Sequence, residues 1–112
     1  MKIYHNRNCS KSCAALDLLQ ENGIQAEIKE YVHEALTREE LKELLEMLQL
    51  KPLELIRQKE TLFQEEFAGQ QHSDEEWIDI MIAHPILIER PIVVSNGQAR
   101  IGRPVERILE LL

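Results

Sequence analysis

The first thirty residues alternate between strand-like and helix-like spacing of apolar positions. Residues 2–4 predict a short strand, and a polar loop follows. From Ser10 the apolar positions recur at helical spacing, and Asn22-Gly23 predicts the end of this helix. Apolar and polar side chains then alternate over residues 25–31, as in a half-buried strand. This order predicts a β-α-β unit with a parallel pair of strands, in which the first helix packs through an apolar face of Cys13, Leu16, Leu18 and Leu19.

Helical patterns dominate the middle of the chain. Two capping boxes, Thr37 with Glu40 and Ser73 with Glu76, each precede a run of apolar residues at helical spacing. Amphipathic segments between them predict further short helices. We therefore expect a helical insertion at about residues 37–84.

Residues 92–112 return to strand-like patterns. A β-branched run at residues 92–94 predicts a buried strand, and Asn96-Gly97 is a strong signal for a hairpin turn. Residues 98–101 supply the return strand, and a final helix is expected over residues 105–111. The complete order predicts one α/β domain.

Composition narrows the range of functions. Apolar residues make up 44% of the 112 residues and charged residues 29%, as in folded globular domains. A net charge of −7 argues against nucleic-acid binding through phosphates. No apolar run approaches the ~18 residues of a membrane span, and the N-terminal segment lacks the apolar core of a signal peptide. We therefore expect a cytoplasmic protein.

Cys9 is the leading candidate for chemistry because it lies where the polar loop meets the predicted first helix. The free N–H groups and partial positive charge of a helix N-terminus can lower a cysteine pKa to ~3.5–7.5. Ser10, Lys11 and Ser12 add amides, hydroxyls and a cation that suit an oxyanion, and His5 precedes the cysteine. This setting predicts a nucleophilic thiolate beside an oxyanion site. The alternative is a buried cysteine that packs as a small apolar residue.

Cys13, the second of the two cysteines, follows Cys9 by four residues. Positions four apart share one helix face, so Cys13 is a candidate resolving thiol. Packing on the apolar face is the other interpretation, because ordinary redox pairs are separated by two residues. The cysteines and histidines show no zinc-site spacing, and no metal is predicted.

Three arginines stand in unusual contexts: Arg57 ends a short apolar run, Arg90 precedes a proline between apolar runs, and Arg103 follows a strand. Guanidinium groups bind tetrahedral oxyanions in a bidentate way, so together they suggest a locally positive, anion-binding pocket. Pro91, at the entry to a buried strand, is either a cis proline or an ordinary trans proline.

Four sequence blocks resemble the glutaredoxin-coupled arsenate reductase family, ArsC. They are YHNxxC at residues 4–9, a block that begins with Lys51-Pro52 and continues to LIRQKE at 55–60, HPILIERPIVV at 84–94 and RIGRP at 100–104. The resemblance covers nearly the whole chain. It implies a single domain over residues 1–112 with a thioredoxin-like mixed sheet, β-α-β … β-β-α, and a helical insertion.

The resemblance also implies a reaction, the reduction of arsenate to arsenite. Cys9 corresponds to the cysteine that attacks arsenate, after which glutathione and glutaredoxin complete the reduction. His5 corresponds to a histidine that favours the thiolate, and Pro91 to a cis proline. No bound cofactor is implied, glutathione is a co-substrate, and a monomer is expected. The oxyanion ligands of the family correspond to Arg57, Arg90 and Arg103.

Two positions depart from the family pattern. Arg7 stands where the family often has proline, and Cys13 stands where it commonly has arginine. A close pair of cysteines also resembles the Spx-type regulators that bind RNA polymerase. The alternative function is therefore a redox-sensing regulator switched by a Cys9–Cys13 disulfide. A weaker alternative is a glutaredoxin-like carrier of electrons to protein disulfides.

Overall fold

The computed structural model describes residues 1–34 and 36–112. Its chain separates into two compact units. One comprises Met1–Glu34 and Arg90–Leu112, and the other is the described part of Ala35–Glu89. The predicted helical insertion falls within the second unit. The assignment of residues 1–112 to a single domain stays a prediction.

The first unit is built on a mixed sheet. Its elements are β1 Lys2–Tyr4, α1 Ser10–Glu21, β2 Glu27–Lys29, β3 Ile92–Ser95 and β4 Gln98–Ile101. Within the described residues the four strands pair in the order β2-β1-β3-β4, with β1 and β2 parallel and the other pairs antiparallel. Helix α1 connects the parallel strands, as the β-α-β pattern predicts. The expected α/β class with a mixed sheet is confirmed.

Strand β2 is shorter than the alternation over residues 25–31 predicts. The Glu30 carbonyl accepts hydrogen bonds from the backbone N–H groups of His33 and Glu34, at 2.9 Å each. The chain therefore turns directly after Lys29, and Tyr31 leaves the strand to become a buried residue of the turn.

The buried face of α1 differs from the predicted one. Ser12, Ala15 and Leu19 are buried, whereas Cys13 is only half-buried. Ala15 and Leu19 pack in a core cluster. The spacing of apolar residues does not predict that Ser12, a polar residue, is buried on the same face. Its hydroxyl is buried because it is hydrogen-bonded to the preceding loop, as described below. The core cluster consists of Ile3, Ala15, Leu19, Val93 and Ile108, with Leu16 and Leu18 partly buried against it.

The C-terminal segment follows the predicted order with one difference in geometry. Asn96 and Gly97 adopt positive φ angles of 51° and 78°, as a tight hairpin turn between β3 and β4 requires. The final helix, Val105–Leu111, is a 3-10 helix rather than an α-helix. Its opening bond runs from the Arg107 N–H to the Pro104 carbonyl, three residues back.

The second unit is helical. Ser73 and Glu76 form the reciprocal capping box that the sequence predicts, with hydrogen bonds of 3.2 and 2.9 Å. The Thr37 hydroxyl accepts from the Glu40 N–H at 3.1 Å. Phe63 stacks on Trp77 with ring centroids 6.1 Å apart. The helices are α2 Arg38–Leu48, α3 Pro52–Leu55, α4 Thr61–Glu66 and α5 Asp74–Ala83, followed by a 3-10 turn at Pro85–Leu87.

Ion pairs join α2 to α5. Arg38 contacts the carboxylates of Glu75 and Asp79, and the Lys42 ammonium lies 3.2 Å from Glu75. These exposed pairs each stabilise the helix contact by ~1 kcal/mol or less.

The charge of the chain is unevenly divided. The helical unit carries five Lys and Arg against thirteen Asp and Glu, a net charge of −8. The sheet unit carries eight against seven, a net charge of +1. An anion therefore meets little overall repulsion from the sheet unit itself. None of the helices in residues 1–34 and 36–112 has the length and apolar character needed to cross a membrane.

Candidate active site

Cys9 is the N-cap residue of α1. Its backbone is extended, with φ −109° and ψ 119°, and its carbonyl accepts the first helical hydrogen bond, from Cys13 N at 3.0 Å. Its own N–H donates to the Asn6 carbonyl at 3.0 Å, which closes the polar loop onto the helix. Cys9 is 8% exposed and is thus a buried residue.

The surroundings of Cys9 favour the thiolate. Burial is the largest single influence and raises the pKa of the thiol. Hydrogen bonds from Arg90 and from the backbone N–H groups of Ser12 and Lys11 together outweigh it, so the pKa lies below the ordinary value of 9.0. The Arg103 guanidinium nitrogen Nη2 lies 3.9 Å from the Cys9 sulfur. The sequence places the cysteine at the helix terminus, and the fold adds the arginines.

The two arginines of the sheet unit are tied to each other. Arg103 Nε donates to the carbonyl oxygen of Arg90 at 2.7 Å, so one arginine side chain supports the backbone of the other. The Arg90 side chain in turn contacts both Cys9 and Tyr31. The peptide bond between Arg90 and Pro91 is cis, as the family resemblance implies, and so is the Arg103-Pro104 bond. Both guanidinium groups thus come to the sulfur from loops at one end of the sheet.

Sequence reasoning missed two residues next to these arginines. Tyr31 is 1% exposed and interacts with Arg90. Gly102 donates its N–H to the Pro91 carbonyl at 2.9 Å, and a Cβ atom at this position would lie 2.9 Å from Pro91 Cγ. The RIGRP block contains a signal for Gly102, because a glycine in a strand pattern often marks a bend or a close approach of another part of the backbone. Tyr31 carries no such signal.

His5 is buried and bound to Ser12. Its Nδ1 atom lies 2.6 Å from the Ser12 hydroxyl oxygen, which also accepts from Asn6 N at 3.0 Å. Burial, the largest influence, lowers the pKa of His5 below its ordinary value of 6.5, and Glu30 opposes it. The imidazole is therefore neutral at neutral pH. The contact between His5 and Cys9 runs through Ser12.

The three residues that follow Cys9 differ in what they offer to an anion. The Ser12 hydroxyl is fully buried and occupied by His5 and Asn6, so only its backbone N–H faces the sulfur. That hydroxyl is thus already hydrogen-bonded within the protein, and the oxyanion-binding role expected of Ser10, Lys11 and Ser12 stays a prediction. Lys11 likewise directs its N–H to the sulfur, and both Ser10 and Lys11 have exposed side chains.

The two departures from the family pattern are in contact. The Cys13 thiol donates to the carbonyl oxygen of Arg7 at 3.5 Å. The Arg7 guanidinium forms a bidentate pair with Glu30, at 2.7 and 2.6 Å. Both cysteines are free thiols.

Arg57 belongs to the helical unit. Its Nη1 atom lies 2.9 Å from the carboxylate of Glu60, and its Nε atom lies 3.9 Å from that of Glu89. Its backbone N–H donates to the Leu87 carbonyl at 2.7 Å, beside the bridge between Ile56 and Ile88. The two carboxylates fix the orientation of the guanidinium group. In the described parts of both units, no cluster of three or more His, Cys, Asp or Glu side chains is arranged to hold a metal ion.

Comparisons with known proteins identify the family. The model of the ArsC family matches residues 4–111. The chain belongs to the ArsC family. It is 46% identical over its full length to the uncharacterized protein YfgD of Escherichia coli K12, covering 96% of that protein. It is 42% identical to an arsenate reductase of Neisseria meningitidis serogroup B, covering all of this chain and 97% of that protein.

A solved structure supports the same assignment. The arsenate reductase from Vibrio cholerae superposes with a TM-score of 0.95 at 47% identity, covering 99% of this chain and 96% of that one. The expected thioredoxin-like arrangement of this ArsC-family chain is thereby confirmed.

Proposed function

We propose that this ArsC-family protein is an arsenate reductase in which the Cys9 thiolate attacks arsenate. The observation that carries the proposal is the environment of the Cys9 sulfur. It accepts hydrogen bonds from two helix-terminal amides and from Arg90, and Arg103 lies 3.9 Å away. The arsenate reductases of Neisseria meningitidis and Vibrio cholerae, which are similar over almost their full length, support the choice of substrate.

These groups suit the first chemical step. Arsenate is a tetrahedral anion, and a thiolate that approaches it meets electrostatic repulsion. Preorganised guanidinium and amide donors offset this repulsion because they hold positive charge before the reaction begins. The Cys9 sulfur forms a bond to arsenic(V), and one arsenate oxygen leaves as water. Arsenic keeps its oxidation state in this step.

The second step transfers the electrons. In the proposed reaction the thiolate of glutathione attacks the Cys9 sulfur, and the sulfur–arsenic bond breaks with its electron pair on arsenic. Arsenite leaves, and Cys9 remains in a mixed disulfide with glutathione, which glutaredoxin reduces. Such chemistry needs a reducing thiol pool, so we propose that the protein works in the cytoplasm. We also propose that it acts as a monomer.

Arg57 is proposed as a third oxyanion ligand. This proposal comes from the LIRQKE block, which resembles the corresponding block of the family. A bidentate guanidinium suits a tetrahedral oxyanion better than a lysine does. Ser10 and the amides of Lys11 and Ser12 complete the proposed set of anion-binding groups.

The test is a coupled assay of arsenate-dependent NADPH oxidation with glutathione, glutaredoxin and glutathione reductase. Wild-type protein is expected to turn over arsenate. The rate of Cys9→Ser is expected to be lower by at least about 1,000-fold, because a hydroxyl lacks the acidity of the thiol. A thermal melt of Cys9→Ser shows whether the variant folds. Turnover retained by a folded Cys9→Ser protein, or an inert wild type, would contradict the proposal.

A redox-sensing regulator is the second candidate function, because Cys9 and Cys13 are both free and lie one helical turn apart. A regulator of this kind forms the Cys9–Cys13 disulfide under mild peroxide but does not reduce arsenate. Two thiols that stay free after peroxide would argue against the regulator, and arsenate turnover in the coupled assay would favour the reductase.

A further inference from the structure

We propose that Cys13 is the resolving thiol of this chain. In this proposal Cys13 attacks the Cys9 sulfur of the arsenate adduct, releases arsenite and leaves a Cys9–Cys13 disulfide. The inference rests on the proposed arsenate reductase function. It assigns a different group to the second step, because the electrons come from a thiol of the protein itself.

The backbone places the two cysteines one turn apart. Cys9 is the N-cap of α1, and Cys13 N donates to the Cys9 carbonyl at 3.0 Å. Residues four apart on ideal helical geometry have Cα atoms about 6 Å apart. Disulfide-bonded residues have Cα separations of about 4.4–6.8 Å, so a bond between these residues needs no large backbone movement.

The Cys13 side chain points toward the end of the helix that holds the nucleophile. Long helical side chains lean toward the helix N-terminus, and Cys13 follows this direction. Its sulfur donates to the carbonyl oxygen of Arg7 at 3.5 Å, and Arg7 precedes Cys9 by only two residues. Both sulfurs therefore lie at the N-terminal end of α1.

Packing does not account for Cys13. The buried face of α1 is formed by Ser12, Ala15 and Leu19, and Cys13 lies half-buried beside it. Its hydrogen bond to the Arg7 carbonyl is of a weak type, because a thiol is a poor donor. The position therefore leaves the thiol free to exchange this contact for a covalent bond.

The step balances in atoms and electrons. The Cys13 thiolate forms a bond to the Cys9 sulfur, and the bond between sulfur and arsenic breaks with its electron pair on arsenic. Arsenic(V) becomes arsenic(III), and two thiols become one disulfide. The thiol proton of Cys13 passes to water. An external thiol or dithiol then reduces the disulfide before the next turnover.

A single-turnover experiment without added thiol tests the step. Fully reduced protein, freed of small thiols, is mixed with excess arsenate. Released arsenite is measured by ion chromatography, and free thiols are counted after denaturation. Wild-type protein is expected to release one arsenite per chain and lose both thiols. Cys13→Ser is expected to release none until glutathione is added, which restores release.

A relocated thiol provides the matched control. Adding Ala14→Cys to Cys13→Ser restores the thiol count but turns the second sulfur by about 100° around the helix. Ala14 is exposed, so the substitution is compatible with folding. This double variant is expected to release no arsenite without glutathione, since proximity on one helix face is what the step requires.

The outcomes separate the two proposals. Equal arsenite release by Cys13→Ser and wild type without added thiol overturns the role of Cys13. The role of Cys13 is also overturned if wild-type protein releases arsenite only with glutathione and Cys13→Ser turns over at the wild-type rate. In that case the arsenate reductase function is retained. A wild type that is inert both with and without glutathione overturns the reductase and the resolving step together.

Discussion

The hydroxyl oxygen of Ser12 lies 2.6 Å from Nδ1 of His5, and both side chains are almost fully buried. The same serine directs its backbone N–H to the Cys9 sulfur. A buried histidine is thus linked to the candidate nucleophile through one residue of α1. The contact between His5 and that sulfur therefore runs through Ser12, and the thiolate-stabilising role expected of His5 stays a prediction.

Ser12→Ala is expected to lower the free energy of unfolding by ~1–3 kcal/mol, because it leaves buried polar groups of His5 and Asn6 without their partner. Urea denaturation measures the change. Ser10→Ala is the control, since Ser10 is exposed in the same helix turn and its loss is expected to cost ~0.5 kcal/mol or less. Equal stability of the two variants would contradict the importance of the buried hydroxyl.

His5 should make the stability of the protein depend on pH. Its pKa in the folded state is below 6.5, so as the pH falls the unfolded state binds a proton first. The stability is therefore complete above pH 6.5 and is lost as the pH falls toward the folded pKa. Urea denaturation at several pH values in this range gives the free energy of unfolding at each pH. Its slope against pH is expected to be shallower for His5→Gln than for wild type. His33→Gln, which replaces an exposed histidine, is the control, and a matching slope in His5→Gln would refute the assignment.

Arg90→Gln is expected to raise the pKa of Cys9, because Arg90 is the strongest of the groups that lower it. At neutral pH a smaller fraction of thiolate remains, so alkylation by iodoacetamide slows about tenfold for each pKa unit gained. The pH profile of alkylation measures the midpoint. Arg90→Lys keeps the charge and should fall between wild type and Arg90→Gln.

The control for this shift is Arg100→Gln, which removes an arginine of β4 that pairs with Glu110. Its alkylation midpoint should match that of wild type. An unchanged midpoint in a folded Arg90→Gln protein would show that Arg90 does not govern the thiol.

Gly102→Ala is expected to displace the loop that carries Arg90. The added Cβ would lie 2.9 Å from Pro91 Cγ and 3.3 Å from Ile108 Cγ2, closer than carbon atoms pack. Overpacking of this kind costs ~1–3 kcal/mol, and Gly102→Val should cost more. Thermal melts give the loss of stability, and the alkylation midpoint of Cys9 should rise with it. If Gly102→Ala has the thermal stability and the Cys9 alkylation midpoint of wild type, the loop accommodates the methyl group without displacement, and the prediction is wrong.

Arg57→Lys is expected to raise the KM for arsenate about tenfold, equivalent to ~1.4 kcal/mol, because lysine keeps the charge but loses the bidentate fork. The coupled NADPH assay measures it. Lys59→Gln replaces an exposed neighbouring cation and should keep the wild-type KM. The same KM in Arg57→Lys and Lys59→Gln would exclude Arg57 as an oxyanion ligand.

Features that depend on residues a few positions apart were predictable from the chain itself. The Ser73–Glu76 capping box, the Asn96-Gly97 turn and the position of Cys9 at the start of a helix are of this kind. Their geometry follows from local hydrogen bonds and backbone preferences, which short sequence windows contain. The order of strands and helices followed from them.

The features decided only by the tertiary structure involve distant partners. Ser12 is buried, against its polarity, because the loop before Cys9 supplies its hydrogen bonds. The pKa of His5 lies below its ordinary value because the fold encloses the imidazole. Arg103 approaches the Cys9 sulfur across 94 positions in sequence. The chain alone determined where Cys9, the candidate nucleophile, lies on its helix. The charge around its sulfur depends on which distant side chains the sheet brings to it, since electrostatic effects act through space and not along the sequence.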